Sequence, residues 1–215
     1  MKKKFMSFAV VSALAVALSA SAKAETYTYT QTDWWNAWTP SFELADGETL
    51  TFTGSSTYSG DDLQNWKSIN TVLVNTATDG ETAPGADTYE GYAEYAVLRP
   101  DNWGWGDCYS EDSIVENNWD WDNFAAMVAD CTYEFDIARS GRTVDVTVEI
   151  TGANGSSGFQ KYSIDCAGDA PIYVFFTADS GVTYTIDDGN SGDDTTGGDD
   201  TAAGDDTTGG DDTAA

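Results

Sequence analysis

The chain has 215 residues, and its charge is the first property that limits its function. It carries 37 acidic residues against nine lysines and arginines, has no histidine, and has a formal net charge of −28 at pH 7. Because nucleic acid and anionic membranes are bound through clustered lysine and arginine, this composition excludes both as partners. The absence of histidine also excludes Ser-His-Asp and Cys-His catalysis and argues against a zinc site.

Residues 1–24 have the pattern of a secretory signal peptide. Three lysines at positions 2–4 precede the apolar run 8–20, and residues 22–24, Ala-Lys-Ala, match the small-x-small cleavage rule. The apolar run is too short to form a stable membrane span. We therefore predict that Glu25 is the mature N-terminus and that the protein is secreted to the extracellular space or the periplasm.

Residues 25–188 are predicted to form one all-β domain. Runs rich in Thr, Tyr, Val and Ile alternate with turns that contain Gly and Asp, as in an antiparallel sandwich or barrel. The predicted strands are 26–30, 48–58, 66–75, 92–99, 132–139, 143–151, 159–165, 172–178 and 182–186. One short helix is predicted over residues 121–129, with Asp122 as its N-cap.

Two tryptophan clusters lie in segments 32–38 and 117–122. In an extended chain Trp34 and Trp38 share one face and Trp35 takes the other, so one face belongs to the core and the other is a candidate platform. Trp119 and Trp121 also stand two residues apart. The candidates to extend a binding surface are Trp35, Trp38, Trp119 and Trp121.

The third cluster, segment 99–106, has the sequence Arg-Pro-Asp-Asn-Trp-Gly-Trp-Gly and follows a predicted strand. Proline ends the strand, and the two glycines allow a tight turn that leaves the indoles uncovered. If the backbone is extended, Trp103 and Trp105 point the same way. Flat apolar rings edged by polar groups suit a sugar, which has an apolar C–H face and polar hydroxyls. The polar residues expected to bond those hydroxyls are Arg99, Asp101 and Asn102.

Three cysteines are present at positions 108, 131 and 166. In a secreted protein this number allows at most one internal disulfide and leaves one thiol. We predict a bond between Cys108 and Cys131, because it would close the long irregular segment between them. Pairings through Cys166 remain open.

A catalytic alternative rests on Glu134 and Asp136, which share one strand face. They partly resemble the Glu-x-Asp-x-(x)-Glu motif of laminarinase-like sandwich hydrolases, but Ala138 and Arg139 stand where the last carboxylate belongs. Because glycoside hydrolysis needs two carboxylates in separate roles, we predict that the chain is not an enzyme. A glycoside hydrolase of sandwich type with a degenerate motif is the alternative.

Residues 189–215 consist of Asp, Thr, Gly and Ala repeats with no basic and no large apolar residue. Such a segment cannot bury a core, and we predict a disordered acidic linker or tail. A calcium-binding extracellular matrix or surface protein is a further alternative suggested by its aspartates.

Several of these segments together resemble the secreted jelly-roll carbohydrate-binding modules appended to glycoside hydrolases and polysaccharide lyases. The resembling segments are 33–35 (Asp-Trp-Trp), 65–66 (Asn-Trp), 95–106 and 119–124 (Trp-Asp-Trp-Asp-Asn-Phe). The resemblance implies a jelly-roll-like antiparallel β-sandwich that binds polysaccharide without cleaving it. It also implies a structural calcium, whose ligands the sequence does not assign, and a linked or partner catalytic domain.

Overall fold

A computed structural model describes residues 25–166 and 171–189 as two antiparallel sheets with one short α-helix. The strands are β1 (Thr26–Thr30), β2 (Phe42–Glu43), β3 (Thr49–Tyr58), β4 (Ile69–Val74), β5 (Glu94–Leu98), β6 (Ile114–Asn117), β7 (Asp130–Ser140), β8 (Thr143–Gly152), β9 (Ser157–Asp165), β10 (Tyr173–Ala178) and β11 (Val182–Asp187). A 3-10 helix spans Glu111–Ser113, and α1 spans Phe124–Val128. The predicted signal peptide and almost all of the predicted tail lie outside the described residues.

The two sheets differ in size. The large sheet has the strand order β1-β11-β3-β7-β8-β9-β6, and the small sheet has the order β2-β10-β4-β5. This arrangement confirms the predicted all-β antiparallel sandwich. No helix among the described residues combines the length and the hydropathy that crossing a membrane requires.

The core lies between the inner faces of the two sheets. In β7 and β8 buried and exposed residues alternate, so each strand turns one apolar face inward and one polar face to solvent. Phe135 of β7 and Phe52 of β3 both contact Phe176 of the small sheet, with ring centroids 4.9 Å apart in each pair. Burying one such side chain stabilises the fold by roughly 1.5–3 kcal/mol.

The small sheet is buried on both faces. All six residues of β4, and five of the six in β10, are inaccessible to solvent. On the outer face Val72, Val97 and Phe175 form a second apolar cluster, separate from the inter-sheet core. A second cover must therefore lie over this face, and the tryptophan-bearing loops provide it.

Three local predictions need correction or addition. Strands β2 and β6 were not predicted, because they are short edge strands without an apolar alternation of their own. The predicted N-cap Asp122 is wrong, since α1 begins at Phe124 and Asn123 occupies the cap position.

The predicted disulfide between Cys108 and Cys131 is wrong. Cys131 is the second residue of β7, whereas the backbone N–H of Cys166 donates to Arg142 O at the turn beyond the other end of β7. Burial, followed by the charge of neighbouring Cys108, raises the pKa of Cys166 to about 12. Cys108 is thus close to Cys166 and is separated from Cys131 by roughly 30 Å of strand. All three cysteines are free in the structure.

Cys131 is expected to be an inert thiol. Its Sγ lies 3.4 Å from Ser56 Oγ and donates to Val128 O at 3.7 Å, and burial raises the pKa of the thiol. In the reduced native protein, iodoacetamide should therefore modify the half-buried Cys108 and leave Cys131 intact, as measured by mass spectrometry of the peptides. Equal modification of both thiols before unfolding would contradict this placement.

Candidate functional site

The loop after β5 turns back on its own strand. Val97 N–H donates to Trp105 O at 2.7 Å, and Trp105 N–H donates to Val97 O at 3.3 Å. Asn102 has φ 69° and Gly106 has φ 129°, so both occupy the left-handed half of backbone space. A Cβ at Gly106 would lie 2.6 Å from Tyr95 O, and only glycine fits there. Segment 99–104 is therefore the tip of a tight loop at the edge of the small sheet.

Arg99 and Asp101 hold the tip together. Arg99 Nε donates to Asp101 Oδ1 at 3.1 Å, and Nη2 donates to Oδ2 at 2.7 Å. Asp101 Oδ1 also accepts the backbone N–H of Trp103 at 3.2 Å. Both side chains are largely buried. The expectation that they present free polar groups to a sugar is wrong, because they bond each other and shape the loop.

The same tip is attached to the large sheet through β9. Tyr162 donates its hydroxyl to Arg99 O at 2.9 Å, and Gln160 Nε2 donates to Asn102 Oδ1. Asn102 is exposed, although this oxygen already has a partner. The loop thus has one anchor on each sheet.

Trp103 is the most exposed large hydrophobic residue of the described chain. Its surface is 75% exposed, and no described ring stacks on it. It borders a groove of about 650 Å³, a size typical of ligand sites. The residues that line this Trp103 groove are Asn102, Trp103, Gly104, Tyr109, Glu111 and Ile114.

Trp105 belongs to a different surface, which we call the tryptophan layer and define as Trp34, Trp35 and Trp105. Their ring centroids lie 5.4–6.1 Å apart with interplanar angles of 8–30°. Trp105 Nε1 donates to Glu94 Oε2 at 2.9 Å. The layer covers the outer face of the small sheet, where Trp35 meets Phe175 edge-on. The expected common platform of Trp103 and Trp105 is therefore wrong.

The loop that carries Trp34 and Trp35 is held by Gln31, which is buried. Gln31 Oε1 accepts the N–H groups of Asn36 and Ala37 at 3.1 Å, and Nε2 donates to Thr177 Oγ1 at 3.0 Å. Trp35 has φ 48°, a conformation shared by only one other non-glycine residue of the described chain, Asn102. Strained backbone of this kind clusters at functional sites.

The other predicted tryptophans do not gather at the groove. Trp38 and Trp119 are only 8% and 6% exposed, which removes them from any open binding surface. Trp119 packs on Phe124, and a Cβ at Gly158 would lie 2.7 Å from its ring. Trp121 is partly exposed and also contacts Phe124, beside α1. Of the four tryptophans that were predicted to extend the binding surface, only Trp35 joins an aromatic cluster near the surface, the tryptophan layer.

Sequence reasoning missed the wall of the Trp103 groove. Tyr109 and Glu111 follow the glycine-rich loop in a polar segment. The one sequence feature that could have indicated this wall is an aromatic residue, Tyr109, among polar neighbours. Tyr109 packs so closely on Gly104 that a Cβ there would lie 2.4 Å from its ring. Glu94, whose carboxylate accepts the indole N–H of Trp105, has no sequence signal that separates it from the many other acidic residues of the chain.

The structure also gives the positions of the catalytic candidates and bears on the calcium ligands. Glu134 and Asp136 lie on the exposed face of β7 beside a small depression of about 130 Å³, on a different strand from those that carry the Trp103 groove. Within the described ranges no three His, Cys, Asp or Glu side chains gather as metal ligands, so no ligand set can be named for the implied calcium.

The fold and the site define a β-sandwich protein with an exposed aromatic groove. No family model matches the chain, and no curated protein does. Among solved structures it is similar to peanut lectin with a 9mer peptide, at 11% identity and a TM-score of 0.31 over 77% of this chain and 98% of that one. It is also similar to the CBM2 module of an evolved Dit from Lactobacillus casei BL23 phage J-1, at 9% identity and a TM-score of 0.22 over 74% of each chain.

Proposed function

We propose that this protein binds polysaccharide without cleaving it, and that the Trp103 groove is the binding site. The observation that carries the proposal is Trp103 itself. A large ring held in solvent by a braced loop, beside a groove of about 650 Å³, is placed where it can stack on a ligand that enters the groove. A sugar ring fits, because its apolar face stacks on the indole while its hydroxyls reach polar groups at the wall.

The wall of the groove supports a neutral glycan as the ligand. Tyr109 offers a hydroxyl and Glu111 a carboxylate, and the lining holds no Lys or Arg. The whole chain is strongly negative. An acidic polysaccharide would be repelled, whereas a neutral one needs only paired hydrogen bonds.

A single stacked ring gives modest affinity. Covering about 60 Å² of indole contributes about 1.5 kcal/mol at ~25 cal/mol/Å². After the costs of association, this contribution together with a few hydrogen bonds corresponds to micromolar-to-millimolar binding. Tight binding to a single polysaccharide chain would require several copies of the protein to bind along that polysaccharide at once.

The proposal also covers the setting of the domain. Export follows from the signal-peptide pattern of residues 1–24, and the acidic repeat after residue 189 suits a linker to a partner or catalytic domain. In that setting the domain holds the partner near its insoluble substrate.

We expect the mature protein to be retained on a neutral polysaccharide and to release no reducing ends from it. The measurement is a pull-down against soluble and insoluble glycans, with and without calcium, with reducing ends assayed in the same tubes. Sugar release that is lost in Glu134→Gln would establish a hydrolase and overturn the non-catalytic proposal. Absence of retention on every glycan would overturn polysaccharide binding.

A further inference from the structure

The start of β5 and the end of β9 lie at the same end of the sandwich. Ile69, the first residue of β4, donates its backbone N–H to Tyr133 Oη at 3.3 Å, so β4 begins at the end of the large sheet where β7 begins. Strand β5 is antiparallel to β4, and β9 runs in the same direction as β7, because both pair antiparallel with β8. Consequently β5 begins, and β9 ends, at the opposite end of the sandwich from Cys131.

A hydrogen bond also brings β5 and β9 together laterally. Tyr162 of β9 donates its hydroxyl at 2.9 Å to the carbonyl of Arg99, which directly follows β5. Tyr95 precedes Arg99 by four residues and Cys166 follows Tyr162 by four, so both lie about 13 Å from this contact in the same direction. Both side chains belong to the inter-sheet core. Tyr95 and Cys166 therefore lie near each other at this end of the sandwich.

Cys108 is held beside Tyr95 by its own backbone. After segment 99–104 the chain returns along β5, where Asp107 N–H donates to Glu94 O at 2.9 Å and Cys108 N–H donates to Tyr95 O at 2.8 Å. The half-buried side chain of Cys108 packs against the same inter-sheet core. Burial raises the pKa of Tyr95, and the charges of Cys166 and Cys108 raise it further. The two thiols thus converge on one residue.

The third cysteine takes no part in this arrangement. Cys131 lies at the other end of the sandwich, near the start of β7. Its Sγ lies 3.4 Å from Ser56 Oγ and donates to Val128 O at 3.7 Å. Of the three cysteines, only Cys108 and Cys166 are therefore placed to react with each other.

We infer that Cys108 and Cys166 form a disulfide in the exported protein, although both are free thiols in the structure. The inference rests on the export that is part of the proposed function, because disulfides persist in extracellular and periplasmic compartments and are rare in the cytosol. It does not depend on polysaccharide binding. Cys131 then remains the single free thiol.

The bond forms by exchange with a donor disulfide such as glutathione disulfide. The half-buried Cys108 attacks one sulfur of the donor as its thiolate and releases the first donor thiol. Cys166 then loses its proton and attacks the Cys108 sulfur of the mixed disulfide, which releases the second donor thiol. The two cysteines together lose two electrons and two protons, and the donor disulfide is reduced to two thiols.

The bond would fix one wall of the Trp103 groove. Tyr109, which lines the groove, directly follows Cys108, and Cys166 directly follows β9. A disulfide between these two cysteines joins the segment after β5 of the small sheet to a strand of the large sheet. Closing a chain segment of roughly 60 residues also lowers the entropy of the unfolded state, so the bond stabilises the fold.

The first test maps the bond in the mature protein with all three cysteines present. The protein is equilibrated with glutathione disulfide, unfolded in iodoacetamide to block free thiols, and cleaved at acidic residues without reductant. This cleavage separates the cysteines, because Asp107, Asp130 and Asp165 each directly precede one of them.

We expect mass spectrometry of the monomer to find the Cys108 and Cys166 peptides joined and Cys131 alkylated. Alkylation of all three cysteines would overturn the inference, and so would a bond to Cys131 or a bond between two copies of the chain. The measurement needs neither a variant nor a glycan.

The second test measures the effect of reduction on stability by urea denaturation of the oxidised protein. Dithiothreitol should lower the folding equilibrium constant of the parent at least about thirtyfold, the usual effect of losing a native disulfide. Cys108→Ser removes the bond beforehand, so the reductant should change its constant less than twofold. The matched control Cys131→Ala should respond to the reductant as strongly as the parent. A parent insensitive to reductant, or a Cys108→Ser protein that is equally sensitive, would contradict the pairing.

The two proposals fail separately. A protein that forms the bond and is retained on no glycan fails the proposed function alone. A protein that is retained on a glycan and forms no bond between Cys108 and Cys166 fails only the present inference.

Discussion

Replacing Trp103 with alanine is expected to weaken polysaccharide binding at least tenfold and to leave the free energy of unfolding unchanged. The ring is 75% exposed and stacks on no described ring, so its loss removes little from the folded state. The stacking contribution of about 1.5 kcal/mol corresponds to about a tenfold change in affinity. Affinity is measured by calorimetry with a soluble fragment of the retained glycan, and stability by urea denaturation.

Two further variants make this test specific. Trp66 is partly exposed and does not line the Trp103 groove, so Trp66→Ala should keep full affinity. Trp105→Ala should instead destabilise the fold, because Trp105 packs in the tryptophan layer and bonds Glu94. If Trp103→Ala binds as tightly as the parent, the binding surface lies elsewhere, with the tryptophan layer the next to examine.

Replacing Arg99 with methionine is expected to destabilise the protein by about 3–5 kcal/mol, the usual cost of removing one partner from a buried ion pair. Asp101 would lose both hydrogen bonds of the fork, and Asp179 would lose its nearest cation. The matched control is Arg142→Met, since the pair of Arg142 with Asp165 is largely exposed and should contribute less than about 1 kcal/mol. Urea denaturation at neutral pH measures both variants.

The loss of unfolding free energy caused by Arg99→Met, which we call the deficit, should depend on pH, and the direction of this dependence follows from Asp179. In the parent, burial raises the pKa of Asp179 and the charge of Arg99 opposes that rise. Without Arg99 the pKa of Asp179 in the folded state rises further above its unfolded value. The charged carboxylate then destabilises the fold at high pH, and protonation relieves this as pH falls. The deficit should shrink as pH falls from neutral toward the unfolded Asp pKa of about 3.9, and a deficit that grows in acid would contradict the placement of Asp179.

The fold was largely predictable because its strands carry their own signal. Apolar and polar residues alternate along β7 and β8, and the Ser-Gly-Arg turn between them marks a hairpin. Strand β6 carries no such alternation, since three of its four residues are exposed. It forms a strand because it pairs with β9 at the edge of the large sheet.

The sequence indicated which loop carries the exposed Trp103, but it did not indicate how the side chains of that loop are oriented. The glycine-rich segment 99–106 indicated a functional loop, and the structure puts the exposed Trp103 there. The assumption of extended backbone failed at Asn102, whose positive φ turns Trp103 away from Trp105. Neither the spacing of the tryptophans nor that of the cysteines shows which strands become neighbours, and this is why Trp119 and the cysteine pairing were misjudged.

The loop that carries Trp103 is attached to β5 through Val97 and to β9 through Tyr162, so it connects the two sheets of the sandwich. The groove consequently exists only while the sheets keep their native separation. A ligand that binds there therefore raises the free energy that is needed to separate the two sheets. Occupancy should therefore slow amide hydrogen exchange in β5 and β9 together, although these strands belong to different sheets.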